Sequence, residues 1–422
     1  MWLSLTRSGP ITLVRGVLST GSRFAMVPSS ASRQVATATD PWSRSRSRPR
    51  FKMSISRRAS LSLSASTSLS QRLQSVCLGI LLVLLASFAS SAVAEPTARA
   101  LRLLTWPDYL DPSLVEIFEQ EHGVQIKFDF FDSDDARDRL VAQTDGKGFD
   151  VIVLDSAAVA SYRRIGWIAP IDPSLAPQIQ HIDQAIDQAY PGTSGYAVPY
   201  FWGTTGIAYR SDLIPEPPQR WMDLMRPDAA LVGRVMMIAD RYDLIGMALK
   251  ALGFSMNTEV PEEIDQAVSL LLEQKPALRD YGTLDLGPDS QLISGEVIAA
   301  MSYSGDAAML MDQHEAIRYL VPEEGSAIWI DYLTVAAQGD KTLALSFIDF
   351  LNRPEIAARN ARYLSYATPN LAAEKLLPAA FLDDPLIYPS TATLARCEHY
   401  KPLSPDALRR RVEAYSAIVY GQ

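Results

Sequence analysis

Histidine and cysteine are scarce in this sequence of 422 residues, which has four of the former and two of the latter. Cys77 lies in an N-terminal apolar segment, so the rest of the chain has only Cys397 and cannot form an internal disulfide. The chain has neither an H-E-x-x-H motif nor the spacing of a zinc site. The histidines stand apart, at His122, His181, His314 and His399. We therefore expect no disulfide framework, no metal site and no cofactor.

Motifs of nucleophilic and phosphoryl-transfer enzymes are also absent. There is no G-x-S-x-G nucleophile elbow and no glycine-rich phosphate loop. The GTSG stretch at residues 192–195 has the wrong spacing for a nucleophile and is typical of a surface turn. A pair of carboxylates could hydrolyse a glycoside. However, the acids of this chain that accompany aromatic rings are spread over distant points, which favours ligand binding over an enzyme.

Basic residues are few after the leader. Residues 1–94 contain twelve Lys and Arg and one acid, which leaves 27 basic and 47 acidic residues in 95–422 and a net charge of −20 there. Such a charge repels nucleic acid and anionic membranes, and it attracts small cations into a cleft. The alternative is an acidic surface that only confers solubility.

The leader has the pattern of a signal peptide. A basic stretch, SRRASLSLSASTSLSQRLQ, precedes the apolar VCLGILLVLLASFA, and Ala92-Val93-Ala94 forms an A-x-A site. The apolar core is shorter than the roughly 20 residues that span a bilayer. We expect residues 53–94 to be a signal peptide cleaved after Ala94, with an uncleaved anchor as the alternative. Residues 1–52 are interpreted as an over-extended or disordered N-terminus before a true start at Met53, with a transit peptide as the lesser alternative.

Strand and helix patterns alternate along the remaining chain. Apolar LRLL is followed by DPSLVEIFEQEHG, where Asp111 is a plausible N-cap and Gly123 a C-terminal stop. VQIKFDF, FDVIVLD and GRVMMIAD read as further strands. This alternation predicts an α/β protein with parallel or mixed sheets covered by helices. About 328 residues exceed what one hydrophobic core usually supports, so we expect two lobes.

Acidic and aromatic side chains recur just after the apolar runs. In such sheets, ligands bind beyond the carboxyl ends of the strands. Carboxylates can replace the hydration of an ammonium group with charge-assisted hydrogen bonds, and each aromatic face adds roughly 0.5 to 2 kcal/mol of cation attraction. Acids spread along a slot of rings would suit a linear, multiply charged amine, whereas a metal ion would need clustered oxygens. These side chains are Trp106, Asp108, Tyr109, Asp155, Asp240 and Asp306.

Six ordered segments from about residue 101 to 400 resemble the periplasmic spermidine/putrescine-binding proteins of polyamine ABC importers. They are LLTWPDYL, GFDVIVLD, YAVPYFWGTTGIAY, GEVIAAMSYSGDA, EEGSAIWIDYL and YATPNLAAEKLLP. The resemblance implies a type II periplasmic-binding-protein fold that closes over a polyamine by hinge motion. It places residues 95–207 and 332–384 in one lobe and 208–331 and 385–422 in the other. The implied crossovers fall near 202–209, 331–334 and 380–385.

Carried over position by position, the resemblance also implies a set of ligand-binding residues. Asp331, in AIWID, is the implied central ammonium ligand, and Tyr303 stands where the family usually has tryptophan. Trp202 is open between hinge packing and ligand contact. The implied set is Trp106, Asp108, Tyr109, Asp155, Asp240, Asp243, Tyr303, Asp306, Trp329, Asp331 and Tyr366.

Simpler roles remain open for some of these residues. Trp106, Trp329 and Tyr366 could be core packing. Asp240 or Asp243 could merely cap the helix that follows.

The chain departs from the family pattern at LDSAAVASY. Asp155 takes the place of a serine there, and Ala157 takes the place of an aromatic residue. The preferred ligand therefore stays open among putrescine, spermidine, agmatine, norspermidine and another diamine.

The resemblance further implies a monomer in the Gram-negative periplasm without membrane insertion after cleavage. Its expected partner is an inner-membrane ABC permease complex or, alternatively, a membrane sensor that receives a polyamine signal.

Overall fold

The computed structural model describes residues 99–421. The predicted start at Met53, the signal peptide and the cleavage after Ala94 lie outside this range. Eleven strands are present among the described residues: β1 (Ala100–Thr105), β2 (Gln125–Phe130), β3 (Val151–Asp155), β4 (Ile168–Ala169), β5 (Ala197–Arg210), β6 (Val235–Met237), β7 (Asp280–Tyr281), β8 (Ala299–Tyr303), β9 (Ile317–Leu320), β10 (Ala327–Ala336) and β11 (Glu398–His399).

Helices lie between most of these strands. Within residues 99–421 they are α1 (Pro112–His122), α2 (Asp134–Gln143), α3 (Ser156–Ile165), α4 (Gln184–Asp187), α5 (Trp221–Met225), α6 (Arg241–Ala251), α7 (Pro261–Gln274), α8 (Gln291–Ser294), α9 (Ser304–Gln313), α10 (Lys341–Leu351), α11 (Pro354–Leu364), α12 (Leu371–Glu374), α13 (Ala379–Leu382), α14 (Thr391–Leu394) and α15 (Pro405–Tyr420), with 3₁₀ turns at Pro177–His181 and Lys275–Ala277.

The end signals of α1 act as the sequence predicts. The Asp111 side chain accepts a hydrogen bond from the amide of Ser113, and Pro112 occupies the first turn. Gly123 ends the helix with φ of 62°, a left-handed conformation that costs glycine little because it has no Cβ.

The strands form a mixed sheet in the order β2-β1-β3-β10-β5-β8-β6-β7, with β4 and β11 beside β10 and β9 beside β5. β1 pairs in parallel with β2 and β3, and β6 pairs in parallel with β7 and β8. The two long strands β5 and β10 are antiparallel to each other. The carboxyl ends of β1, β3, β6 and β8 carry the predicted site residues, so the topology supports the expectation that these side chains meet.

Strand β5 links the two halves of this sheet. Its residues 197–204 pair with β10, whereas 205–210 pair with β8 and β9. Buried side chains form one set of cores around β1, β3 and the start of β5, which includes Leu101 and Phe201, and another around β6 and β8, which includes Trp221 and Met237. The predicted crossovers near 202–209 and 331–334 fall on β5 and β10, and the lobe boundaries stay a prediction.

A bulge interrupts the pairing of β10 with β5 between Asp331 and Tyr332. Bulges bend a strand and re-aim its side chains. This one lies at the acid predicted to be the central ligand. Between residues 99 and 421, no helix is both long and apolar enough to cross a membrane.

Candidate functional site

Asp331 and Tyr109 form the centre of the candidate site. The chain turns after β1, and this turn buries Tyr109, whose hydroxyl donates a hydrogen bond of 2.8 Å to the Asp331 carboxylate. Burial raises the pKa of Asp331 to about 7, and the nearby charge of Asp155 adds to this effect. The bond from Tyr109 acts in the opposite direction because it stabilises the ionised form. A cation bound beside Asp331 would therefore shift its carboxyl group to the ionised form at little cost in free energy.

A second acid and tyrosine meet at the start of α9. The Tyr366 hydroxyl donates a hydrogen bond of 3.2 Å to Asp306, in the first turn of that helix. Burial raises the pKa of Asp306 to about 6. Gly305 makes this approach possible, since a Cβ there would lie 1.7 Å from a ring carbon of Tyr366.

Asp243 accepts hydrogen bonds from three hydroxyl groups. Tyr303 donates to it over 2.9 Å, Tyr400 over 2.5 Å and Thr205 over 3.2 Å. Asp243 lies in the first turn of α6 and is only 3% exposed. Burial, followed by the charge of Asp240, raises its pKa to about 7. The helix cap is Asp240, so capping alone does not account for Asp243.

Aromatic rings connect these three acids. Tyr109 packs edge-on against Tyr366 at 5.7 Å between ring centroids, Tyr366 packs against Trp329 at 5.2 Å, and Trp329 packs against Tyr303 at 6.1 Å. The Trp329 indole also lies against Gly203, where a Cβ would be 2.5 Å from the ring. Core packing describes only part of their role, because Tyr109, Tyr303 and Tyr366 each present a hydroxyl to a site acid.

Asp155 and Asp240 have structural duties as well. Asp155 caps α3, accepts the amides of Ala157 and Ala158, and accepts a 2.9 Å hydrogen bond from Arg137. Burial alone would raise the pKa of Asp155, but Arg137 and these amides hold it below its usual value. Asp240 caps α6, and burial raises its pKa. Both acids lie close enough to affect the ionisation of Asp134.

Three aromatic or acidic residues near the site lie at its margin. Asp108 is exposed, in a left-handed turn with φ of 53°. Trp106 packs on Phe131 with 4.4 Å between ring centroids. Trp202 packs edge-on against Tyr388 at 5.9 Å. The structure therefore brings together Tyr109, Asp243, Tyr303, Asp306, Trp329, Asp331 and Tyr366, and leaves Asp108 outside this group.

Sequence reasoning missed Asp134, Arg137 and Tyr400. Asp134 lies in the first turn of α2, and burial together with Asp155, Asp240 and Asp331 raises its pKa well above the usual value despite Arg137. Acids at a helix start are ordinary because they stabilise the helix dipole, so the SDDARDR segment carries no distinctive signal. Tyr400 follows a two-residue strand and no apolar run, so the pattern that located the other residues could not locate it.

No group of three or more His, Cys, Asp or Glu side chains within residues 99–421 has the arrangement to hold a metal ion. The acids of the site are instead separated by the rings. This arrangement can hold a cation with charges at several points and an apolar chain between them.

The chain is similar to known binding proteins. The sequence model of the bacterial extracellular solute-binding protein family matches residues 113–389. The spermidine/putrescine-binding periplasmic protein of Salmonella typhimurium is 31% identical over 336 residues, which cover 79% of this chain and 95% of that protein. The norspermidine sensor of Vibrio cholerae is 32% identical over 329 residues, 77% of this chain and 90% of that one.

A solved structure extends this likeness to the fold. The substrate-binding protein PotD of a spermidine/putrescine ABC transporter from Streptococcus pneumoniae superposes with a TM-score of 0.65 and 27% identity, covering 76% of this chain and 98% of that one. The α/β binding-protein fold expected from the sequence is thereby confirmed.

Proposed function

Because the chain belongs to the bacterial extracellular solute-binding protein family, we propose that it binds a polyamine and delivers it to an ABC importer. The observation that carries this proposal is the set of three acids, Asp243, Asp306 and Asp331, each bonded to a tyrosine hydroxyl and joined by a continuous row of rings. The relatives named above support the same ligand class, since the Salmonella protein binds spermidine and putrescine and the Vibrio protein senses norspermidine.

The acids and rings supply what a polyamine loses on leaving water. Each ammonium group exchanges its hydration for charge-assisted hydrogen bonds to a carboxylate, and the rings cover the methylene groups between them. A tyrosine hydroxyl that donates to the acid in the unliganded site can keep its bond while the ammonium binds the other lone pairs. Residues 95–207 with 332–384 and residues 208–331 with 385–422 are the proposed lobes, and closure would shift the population toward the state in which both contact the amine.

The proposed location is the Gram-negative periplasm, after cleavage behind Ala94. No step of bond cleavage is proposed, because the site acids are matched to tyrosines and the similar proteins are binding proteins. N-terminal sequencing of the exported protein would test the cleavage site: Glu95 at the N-terminus supports it. Recovery of unchanged amine after incubation would support binding without turnover.

Titration calorimetry of the purified protein against diamines and triamines tests the ligand class. We expect at least one of putrescine, agmatine, norspermidine and spermidine to bind with micromolar or tighter affinity, roughly 8 kcal/mol. A folded protein that gives no heat with any of them would overturn the proposal. Cadaverine and uncharged diols of the same length serve as further ligands, and the diols should not bind.

A second function has support from the similarity to the norspermidine sensor. In that alternative the same site reports a polyamine to a membrane receptor and feeds no transporter. Uptake of labelled putrescine by cells with and without the gene separates the two functions. Lost uptake supports import, whereas unchanged uptake with an altered response to polyamine supports sensing.

A further inference from the structure

Arg137 is a buried cation that the chain supplies beside its own ligand site. Only 1% of its side chain is exposed, although it is an arginine on a helix of ten residues. Its guanidinium group bonds to Asp134 over 2.5 Å, to Asp138 over 3.0 Å and to Asp155 over 2.9 Å. A buried arginine of this kind needs such partners, because an unpaired charge is costly to remove from water.

The surroundings of Arg137 have the same chemistry as an ammonium site. The Phe131 ring lies 5.6 Å from the guanidinium carbon, and the Tyr162 ring lies 6.0 Å from it. Tyr162 also donates a 2.8 Å hydrogen bond to Asp138, as the tyrosines of the ligand site do to their acids. The guanidinium group of Arg137 therefore already occupies a cluster of acids and rings. We call this the Arg137 cluster, and it consists of Phe131, Asp134, Asp138, Asp155 and Tyr162.

The Arg137 cluster adjoins the ligand site directly. Asp155, the last residue of β3, is the register partner of Asp331 on the antiparallel strand β10, so the two acids lie side by side. Phe131, which follows β2, packs on Trp106 and also lies against the guanidinium group. Asp134, which Arg137 binds, lies near Asp240 and Tyr303 as well as near Asp331, so Arg137 borders the side of the slot between these acids.

We propose that Arg137 is a specificity-determining residue that fills the side of the slot next to Asp134 and Asp155 and restricts the ligand to a short diammonium chain. The inference rests on the proposed polyamine binding. A third ammonium group would meet the guanidinium group where the remaining acids are already paired. Arg137 does not serve an anionic group of a ligand, since its hydrogens are directed at three carboxylates.

Alternatively, Arg137 has only a structural role and connects α2 to the start of α3 through its bond to Asp155. Its loss would then weaken every ligand by a similar factor through a disturbed fold. The ratio of the triamine affinity to the diamine affinity separates the two roles, because only occupation of the slot changes that ratio.

The test measures putrescine and spermidine by calorimetry on the purified wild type and on Arg137→Met, which keeps much of the apolar stem and removes the charge. We expect the wild type to bind putrescine about tenfold or more tightly than spermidine, and the variant to shift the ratio toward spermidine by about tenfold, or about 1.4 kcal/mol. The matched control is Arg163→Met. Arg163 is an exposed arginine on α3 that lies over the Tyr196 ring, and its replacement should leave the ratio unchanged.

A second variant covers the case in which Arg137→Met does not fold. The double variant Arg137→Met with Asp155→Ser removes the ion pair together and keeps a residue that can cap α3, so it serves if the single variant does not fold. Equal or tighter binding of spermidine by the wild type overturns the inference even without a variant, and so does a ratio that moves less than about threefold in a folded variant. A wild type that binds neither amine also overturns the inference, and one that binds none of the diamines and triamines overturns the proposed function as well.

Discussion

At Asp331, burial and a hydrogen bond act on the same carboxyl group in opposite directions. Burial raises its pKa to about 7, and the Tyr109 hydroxyl lowers it. The protonated and ionised forms are therefore close in free energy near neutral pH. A cation that enters the site can select the ionised form at little cost. Asp243 and Tyr303 repeat this arrangement at the other end of the row of rings.

The Asp331→Asn substitution should weaken polyamine binding by more than about tenfold. Removal of one partner of a buried charge pair typically costs about 2 to 5 kcal/mol, because the ammonium group then loses its directly bonded counter-charge. Calorimetry on the folded variant measures the loss. Asp312→Asn, an exposed acid on α9, is the control and should change little. A loss of less than about threefold for Asp331→Asn would contradict the charge-pair role.

Ligand binding should release protons below about pH 7. Burial raises the pKa of Asp331 and Asp243 to about 7 and that of Asp306 to about 6, and a bound ammonium favours their ionised forms. Affinity should therefore rise from about pH 5 to about pH 8. Calorimetry in two buffers of different ionisation enthalpy counts the protons. A proton count near zero at pH 6 would contradict the expectation.

The same groups set a stability trend of the opposite sign in the unliganded protein. A carboxyl whose pKa is higher in the folded state than in the unfolded chain stabilises the fold while protonated, fully so below about pH 4, and loses that contribution as the pH rises through about 7. We expect the Tm of the unliganded protein to fall over this range. Asp243→Asn cannot ionise at that position and should lose less, as thermal denaturation at several pH values would show.

At the scale of elements, the ends of the strands and the starts of the helices build the site together. β8 ends at Tyr303, α9 begins at Ser304, and Asp306 in its first turn faces Tyr366 from the segment after α11. The glycines at 203 and 305 permit the rings of Trp329 and Tyr366 to lie against the backbone. The bulge in β10 lies at Asp331, where the direction of one side chain decides whether the acid meets Tyr109.

Gly305→Ala should weaken ligand binding while the protein still folds. Its Cβ would lie 1.7 Å from a ring carbon of Tyr366, so the ring must move and its bond to Asp306 must break. Alanine otherwise favours a helix by about 1 kcal/mol, which offsets part of the clash. Gly246→Ala in α6 is the matched control, since its Cβ would meet Met256 at an ordinary 3.4 Å. Equal affinities for both variants would contradict this role of Gly305.

At the scale of the whole molecule, the site joins elements of both proposed lobes. Tyr366 and Asp306 bond across it, and Arg241 at the start of α6 bonds to Asp135 on α2 over 2.8 Å. These contacts favour a state in which the two proposed lobes contact each other across the site. A ligand that contacts both proposed lobes would add to that preference, which is the energetic basis of the proposed closure.

Asp135→Ala should raise the rate of ligand release up to about fivefold. The Asp135–Arg241 pair is partly exposed, and such pairs contribute about 0.2 to 1 kcal/mol, which we expect to be lost from the proposed closed state alone. Stopped-flow displacement measures the release rate. Asp265→Ala, which breaks an exposed pair with Arg410, should leave it unchanged. Slower release from Asp135→Ala would contradict the expected role.

The sequence by itself determined the α/β alternation, the end signals of α1 and the recurrence of acids and rings after apolar runs, because these depend on local periodicity and on the chemistry of single residues. Only the tertiary structure decided how each acid is used. Asp155 became the partner of Arg137, Asp108 stayed exposed, and Tyr400 reached Asp243 from 157 residues away. The physical reason is that hydrogen-bond partners and burial depend on which strands become neighbours, and local pattern carries no record of that choice.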